Sequence, residues 1–331
     1  MNMQNQESLS KNLEVKNMGL TPVVKPLCDL PYKAEYAVNS WFAIGHTVVD
    51  EHRLNYLFHI MLMQGPIPVI TSGISITDES NQWHYADEKV FLLTEAELDT
   101  KNFNISLPNG YMRGDLNKME IYAHTNEVEI NLVASAVGFP IYNGGTGSFP
   151  LIGATVYQYS IPKMITNGTI TAENRTWKVQ DGQTWFDRQW ESTENAQFDQ
   201  EWRWSWMDIN LNDGTSISLW DYSVNTTESA WATIQYNDGS QLVCPIEVLS
   251  KTQSDPWTSP KTGLTYPTKW TVNIPLVDAS LNITPSPMEQ EVASDDKGAV
   301  PRYEGASSIE GVLQGRDVHG FGYVELVGQW H

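Results

Sequence analysis

An all-β fold is what this 331-residue chain predicts, and three observations predict it. From about residue 34 onward, short runs rich in Val, Ile, Thr, Tyr and Trp alternate with turn signals such as Asp50-Glu51, Asn109-Gly110, Asn212-Asp213-Gly214 and Asn237-Asp238-Gly239. No segment sustains a helical apolar stripe over three turns, so helix should be minor. The 13 tryptophans and 14 tyrosines are many for the length, and such rings suit strands or the wall of an apolar ligand site. The strands fall into two groups, which suggests two antiparallel barrels or sandwiches packed together, with a break near residues 160–180. The division is a polar lead-in (residues 1–33), a first β domain (34–175) and a second (176–331).

The lead-in carries Pro22, Pro26 and Pro31 and reads as loosely held. After it, Trp41 to Val49 and Leu54 to Met63 form a hairpin around His52-Arg53. A symmetric loop there sets His46 opposite His59, Ile44 opposite Met61 and Phe42 opposite Met63. One face then carries Phe42, Ile44, His46, Val48, Leu57, His59, Met61 and Met63, and the other Trp41, Ala43, Val49, Tyr56, Phe58, Ile60 and Leu62. Apolar residues on both faces suit a strand pair inside a domain or one wall of a cavity. Asn143-Gly-Gly-Thr-Gly147 is followed by Phe149-Pro150, which speaks against a helix there, so a hairpin loop is expected and not a phosphate cradle. A second hairpin runs from Glu201 to Val224 and sets Trp202, Trp204, Trp206 and Asp208 on one face. A third spans Ala230 to Cys244. Ile283-Thr-Pro285-Ser-Pro287 and the acidic run Glu289 to Asp296 read as an exposed loop before a closing pair, Ile309 to Leu313 with Gly320 to Val327.

Composition removes several function classes. The net charge of −20 repels phosphates and anionic lipid, which argues against nucleic acid and membrane surfaces as partners. Cys28 and Cys244 are too few and too far apart for a disulfide scaffold, a zinc finger or a CxxC redox site. No run reaches membrane-span length, and residues 1–30 lack a signal-peptide core. A cytoplasmic protein, monomeric or homodimeric, is expected. The Asn-x-Ser/Thr sites at Asn104, Asn167, Asn174, Asn225 and Asn282 leave secretion open.

The chemistry concentrates in Tyr157-Gln-Tyr159-Ser160-Ile-Pro162 and Thr184-Trp185-Phe186-Asp187-Arg188-Gln189-Trp190. Asp187 is a lone carboxylate among large rings. That is an expensive place for a charge unless it pairs with Arg188 or does chemistry. These blocks, with Ser40-Trp41-Phe42-Ala-Ile-Gly45-His46, Trp204-Ser-Trp206, Tyr266-Pro267, Tyr303-Glu304-Gly305-Ala306 and Gly320-Phe-Gly322-Tyr323-Val-Glu325, resemble the AttH-like family. That family includes the carotenoid 1,2-hydratases (hydroxyneurosporene synthases) and kievitone hydratases. The likeness runs from about residue 39 to the C-terminus and departs at Asn39, Ser40, Glu191 and Gln329. It implies lipocalin-like barrels and a hydratase-type activity; related lipocalin-like enzymes catalyse intramolecular cycloadditions.

Hydrating an isolated alkene needs an acid that stays protonated near neutrality, hence a carboxyl in a dry pocket, and ring faces to steady the cation. Asp187 beside Trp185 and Gln189 fits the acid, with a structural ion pair as the competing role. His46 is the candidate auxiliary base or a core histidine, and Tyr157 a polar orienting group or packing. Trp41, Phe42, His59, Tyr159, Trp185, Trp190, Trp204 and Glu304 are the expected substrate wall. No metal is expected: a His46/His59 pair has no carboxylate on its face. No cofactor is expected either. Three readings stand: acid-assisted hydration or cyclisation of an unsaturated hydrophobic terpenoid or polyketide-type metabolite between the domains; a pericyclase folding a polyene; and a carrier of a hydrophobic small molecule.

Overall fold

The computed structural model describes residues 20–296 and 299–330. Helix among them is limited to single 3₁₀ turns, and the strands form a 13-stranded sheet, a 9-stranded sheet and a two-stranded flap. The path of the first sheet runs Trp83–Leu92, Val69–Asp78, His52–Met63, Val38–Val49, Arg175–Ser192, Ala154–Ala172, Glu129–Ala136, and on to Glu97–Leu98. The second runs Gln241–Pro245, Thr227–Gln235, Ser216–Val224, Trp202–Leu211, Arg316–Gly328, Arg302–Leu313, Ala279–Pro285, Trp270–Ile274. The chain therefore changes sheet between Ser192 and Trp202. The sequence-based division at 175/176 falls at the start of the strand Arg175–Ser192, just after the turn that joins it to its partner Ala154–Ala172 in the first sheet.

Each sheet buries one face in its own core. Trp41, Tyr56, Phe58, Ile60, Tyr159, Phe186 and Trp190 belong to the first core, and Met207, Ile209, Leu219, Tyr303 and Val324 to the second. A third core forms where the opposite faces meet, from Phe42, Ile44, Leu57, Trp185, Trp206, Trp220 and Tyr323. The strand Arg175–Ser192 is thus buried on both sides in its second half, from Thr184 onward, while its first half alternates buried and exposed residues.

The first hairpin turns at Asp50-Glu51, both with positive φ (48° and 69°), the backbone of a tight two-residue hairpin turn. Its register departs from the symmetric loop expected around His52-Arg53: Phe42 faces His59, Ile44 faces Leu57 and His46 faces Asn55. The slip is an even number of residues, so every side chain keeps its expected face. The hairpins around Gly214 and Gly239 form as expected.

Two segments expected to be loose or exposed are anchored. The part of the lead-in that lies within the described residues inserts Val24 and Leu30 into the first core, and Trp41 and Tyr159 donate hydrogen bonds to the carbonyls of Leu30 and Pro26. In the acidic stretch, Val292 is fully buried and Gln290 donates to the carbonyls of Pro287 and Ala306. Proline and acidic composition suggested solvent, but buried glutamine and backbone contacts decide otherwise.

Arg188 organises the lead-in. Its guanidinium is buried without an ion pair among the described residues and donates to the carbonyls of Asp29, Pro31, Ser40 and Gln189 and to Asn39 Oδ1. Burial lowers its pKa to about 9. Replacing it by methionine strands several buried acceptors and should destabilise the protein by about 3 kcal/mol or more, read as a lower midpoint in urea unfolding.

Candidate active site in the seam between the sheets

Backbone register builds the site as two facing rows. Across the first sheet, Ser160, Asp187, Phe42, His59, Gly73 and Glu88 are successive cross-strand neighbours. Across the second, Glu304, Glu325, Trp206, Trp220 and Trp231 do the same. The rows interlock through Phe42 and Trp206 (ring centroids 5.6 Å apart) and through Arg302 Nη1 donating to Glu88 Oε1 at 2.7 Å.

Between them lies a cavity in two parts. The inner chamber, about 60 Å³, is lined by Asp187, Gln158, Gln189, Ser40, Phe42, Trp206 and Trp220. The outer one, about 230 Å³, is bordered by Met63, Thr71, Trp202, Arg302 and Val327, with Phe198 and Val300 exposed at its rim. Val38, His59, Met61, Glu191, Trp204 and Glu325 line both, so the two parts adjoin. Together they approach the lower end of the roughly 300–1,000 Å³ typical of small-molecule pockets.

Asp187 is 4% exposed. Trp185 Nε1 donates to its Oδ1 and Gln158 Nε2 to its Oδ2, both at 2.7 Å, and the Ser160 hydroxyl also bonds to it. The amide of Gln158 is held in that orientation because Trp220 Nε1 donates to its Oε1 at 3.2 Å. Asn143 Nδ2 donates to Ser160 Oγ, leaving the Ser160 hydrogen for Asp187. Burial opposes these donors, and the balance pushes Asp187 up to about 7. Indole, amide and hydroxyl groups thus hold the carboxyl, which also lines the inner chamber.

His59 bonds Ser40 Oγ through Nε2 at 2.8 Å, while its Nδ1 is buried without a partner. Burial, and then Arg302, hold its pKa well below the usual value, so the ring is neutral. It stands two strands from Asp187 along the row, about 10 Å between backbones. Burial also raises Glu191 and Glu325, and Trp204 Nε1 donates to Glu325 Oε1 at 2.8 Å.

The structure brings Asp187, Phe42, His59, Trp185 and Trp204 to this seam. It does not bring Trp41, Tyr157, Tyr159 or Trp190: these point to the opposite face, where Tyr157 stacks on Trp190 and the other three join the first core. Arg188 shares that face, which is why the two adjacent charges Asp187 and Arg188 do not pair. His46 lies on the seam face but lines a separate cavity with Asn55, Gln183 and Phe321, its pKa lowered to about 3 by burial. Glu304 sits behind the cavity wall, accepting from Arg302 Nε at 2.8 Å. No group of three His, Cys, Asp or Glu among the described residues is placed to hold a metal ion. Gln158, Glu191, Glu325, Glu88 and Arg302 are additional wall residues. Gln158 and Ser160 alternate with the tyrosines, so pairing Asp187 with Ser160 was the signal that would have found Gln158.

Comparisons with known proteins converge on one family. A family model described as AttH-like matches residues 66–329. Dehydratase asqC of Emericella nidulans is 28% identical over 228 residues, covering 66% of this chain and 63% of that protein. Kievitone hydratase of Fusarium solani subsp. phaseoli is 24% identical over 276 residues, covering 74% and 76%. Among solved structures, kievitone hydratase from Nectria haematococca gives a TM-score of 0.82 at 21% identity, with 96% of this chain and 97% of that one covered. CghA with Sch210972 gives 0.62 at 11% identity, with 96% and 97% covered. The expected all-β fold of two packed antiparallel barrel- or sandwich-like units takes the form of two curled antiparallel sheets, the fold shared with the first of these structures.

The Asp187 pKa has a stability consequence with a definite sign. Raised from 3.8 to about 7 on folding, the carboxyl contributes stability that is fully present below pH 3.8 and lost as pH rises through about 7. Asp187→Asn should therefore gain on the native protein between pH 4 and 8, by on the order of 3–4 kcal/mol, in paired chemical unfolding curves. A difference that does not change with pH would contradict the assignment.

Proposed function

This chain belongs to the AttH-like family, and from that premise we propose that it is an enzyme that adds water to, or removes it from, an unsaturated, largely hydrophobic metabolite of terpenoid or polyketide type. One observation carries the reading: a buried carboxyl poised near neutrality, held by neutral partners, lines the inner end of an aromatic cavity. The relatives named hydratase and dehydratase support that reaction class.

In the hydration direction, protonated Asp187 delivers its proton to one alkene carbon and positive charge develops on the other. Phe42, Trp204, Trp206 and Trp220 offer ring faces, each able to contribute about 0.5–2 kcal/mol to a desolvated cation. Water then adds to the cation and returns one proton to the Asp187 carboxylate. Dehydration runs the same steps backward, Asp187 protonating the departing hydroxyl. Proton and water are the only reagents required.

Turnover on a panel of unsaturated terpenoid and polyketide-type compounds, followed by gain or loss of one water, tests this. Asp187→Asn should lower kcat by about 100- to 10,000-fold with little change in ligand affinity. The native rate should fall as pH rises through about 7, because the protonated acid is the active form. A mild effect of Asp187→Asn beside a severe one of Trp204→Ala would instead indicate shape-driven cyclisation of a polyene. Ligand recovered unchanged from long incubations would indicate a carrier.

A further inference from the structure

The ion pairs of Arg302 do not use its guanidinium fully. Nη1 donates to Glu88 Oε1 at 2.7 Å and Nε to Glu304 Oε1 at 2.8 Å. Nη2 is buried and without a partner, and Arg302 lines the outer cavity. On the same wall, His59 Nδ1 is also buried and unpartnered. In the tautomer in which the Ser40 hydroxyl donates to Nε2, Nδ1 carries the ring hydrogen, and the proposal takes this tautomer. In that tautomer Arg302 and His59 each bring an unused donor to the wall of one largely apolar space, which Thr71, whose hydroxyl is likewise buried and unpartnered, also lines, and each orphaned donor is costly until something accepts from it.

We propose that Arg302 Nη2 and His59 Nδ1 bind a neutral carbonyl oxygen of the substrate, which makes the substrate an unsaturated ketone or related carbonyl compound and not a bare hydrocarbon. This rests on reading the seam as the reacting pocket. A carbonyl oxygen has two lone pairs for two donors. A carboxylate or phosphate fits less well, because Glu88, Glu191 and Glu325 line the same space and Glu304 lies behind it, so the local charge is already more acid than base. Bound in this way, the carbonyl would be polarised by a permanent cation in a desolvated site.

Gly73 sets the position of the guanidinium. It lies between His59 and Glu88 in the first-sheet row, and a Cβ there would come within 2.6 Å of Arg302 Nη2. The other nearby atoms are no closer than 3.6 Å. An alanine would therefore displace the far end of a flexible side chain and leave the backbone in place. Gly73 is a specificity-determining residue in this scheme.

The test uses two isosteric probes, 4-phenyl-3-buten-2-one and its methylene analogue, in which the ketone oxygen is replaced by CH₂. Both are titrated calorimetrically into the full-length protein carrying Asp187→Asn, so the result does not depend on turnover and is separate from the acid role of Asp187. An unspecialised apolar cavity favours the diene, which leaves water more readily. The proposal expects the ketone to bind about tenfold tighter or more. It also expects Gly73→Ala, added to the same protein and shown by circular dichroism to be folded, to abolish that preference while changing diene affinity little. Equal affinities, a preference for the diene, no ketone binding, or a ketone preference that survives Gly73→Ala would each overturn it.

Discussion

Neighbouring residues on a strand point to opposite faces, and in the second half of the strand Arg175–Ser192, around Asp187 and Arg188, both faces are buried. Everything distinctive in the molecule follows from that constraint. Asp187 and Arg188 are adjacent in sequence and both desolvated, yet they belong to different cores and cannot neutralise each other. Each must be satisfied by neutral partners. Arg188 finds backbone carbonyls and thereby pins the lead-in, whereas Asp187 finds indole, amide and hydroxyl donors and thereby sits poised between its two ionisation states. A neutral partner stabilises a charge less than an ion pair does, which is why both groups are displaced toward neutrality by burial.

Much of this was legible in the sequence. The β class, the hairpins at Asp213-Gly214 and Asn237-Asp238-Gly239, the face shared by Trp185, Asp187 and Gln189, and the paired apolar faces of the first hairpin all follow from turn chemistry and a period of two. That period survives an error of register when the error is even, as it was at Phe42 and His59. What the sequence hid was which side of a doubly buried strand faces which core. Tyr157, Tyr159 and Trp190 looked like site residues because they are aromatic neighbours of Asp187, and aromaticity does not distinguish the two faces. Applying the alternation strictly would have moved Trp190 with Arg188. Glu88 and Arg302, far apart in the chain, meet only through packing between sheets, and no local pattern foretells such a meeting.

The pair Arg302–Glu88 illustrates how the seam differs from an ordinary apolar interface. Burying an ion pair rarely adds net stability over a well-packed apolar substitute, while removing one partner typically costs about 3–5 kcal/mol. Such a pair therefore fixes how the two rows register more than how tightly they adhere. Burial works against the Arg302 charge, but Glu88 and Glu304 outweigh it and keep the guanidinium ionised. The facing aromatic contacts, Phe42 with Trp206 and Trp185 with Trp206, supply the adhesion.

The position of the cavity has a mechanical corollary. Its lining comes from both sheets, so an occupant is also a piece of mortar between them. Occupancy and cohesion are then linked: a molecule present at about 100 times its Kd would add roughly 2.7 kcal/mol to the joined state. Melting temperature becomes a chemical readout, and a library of small unsaturated compounds can be ranked by how far each one delays the parting of the two halves.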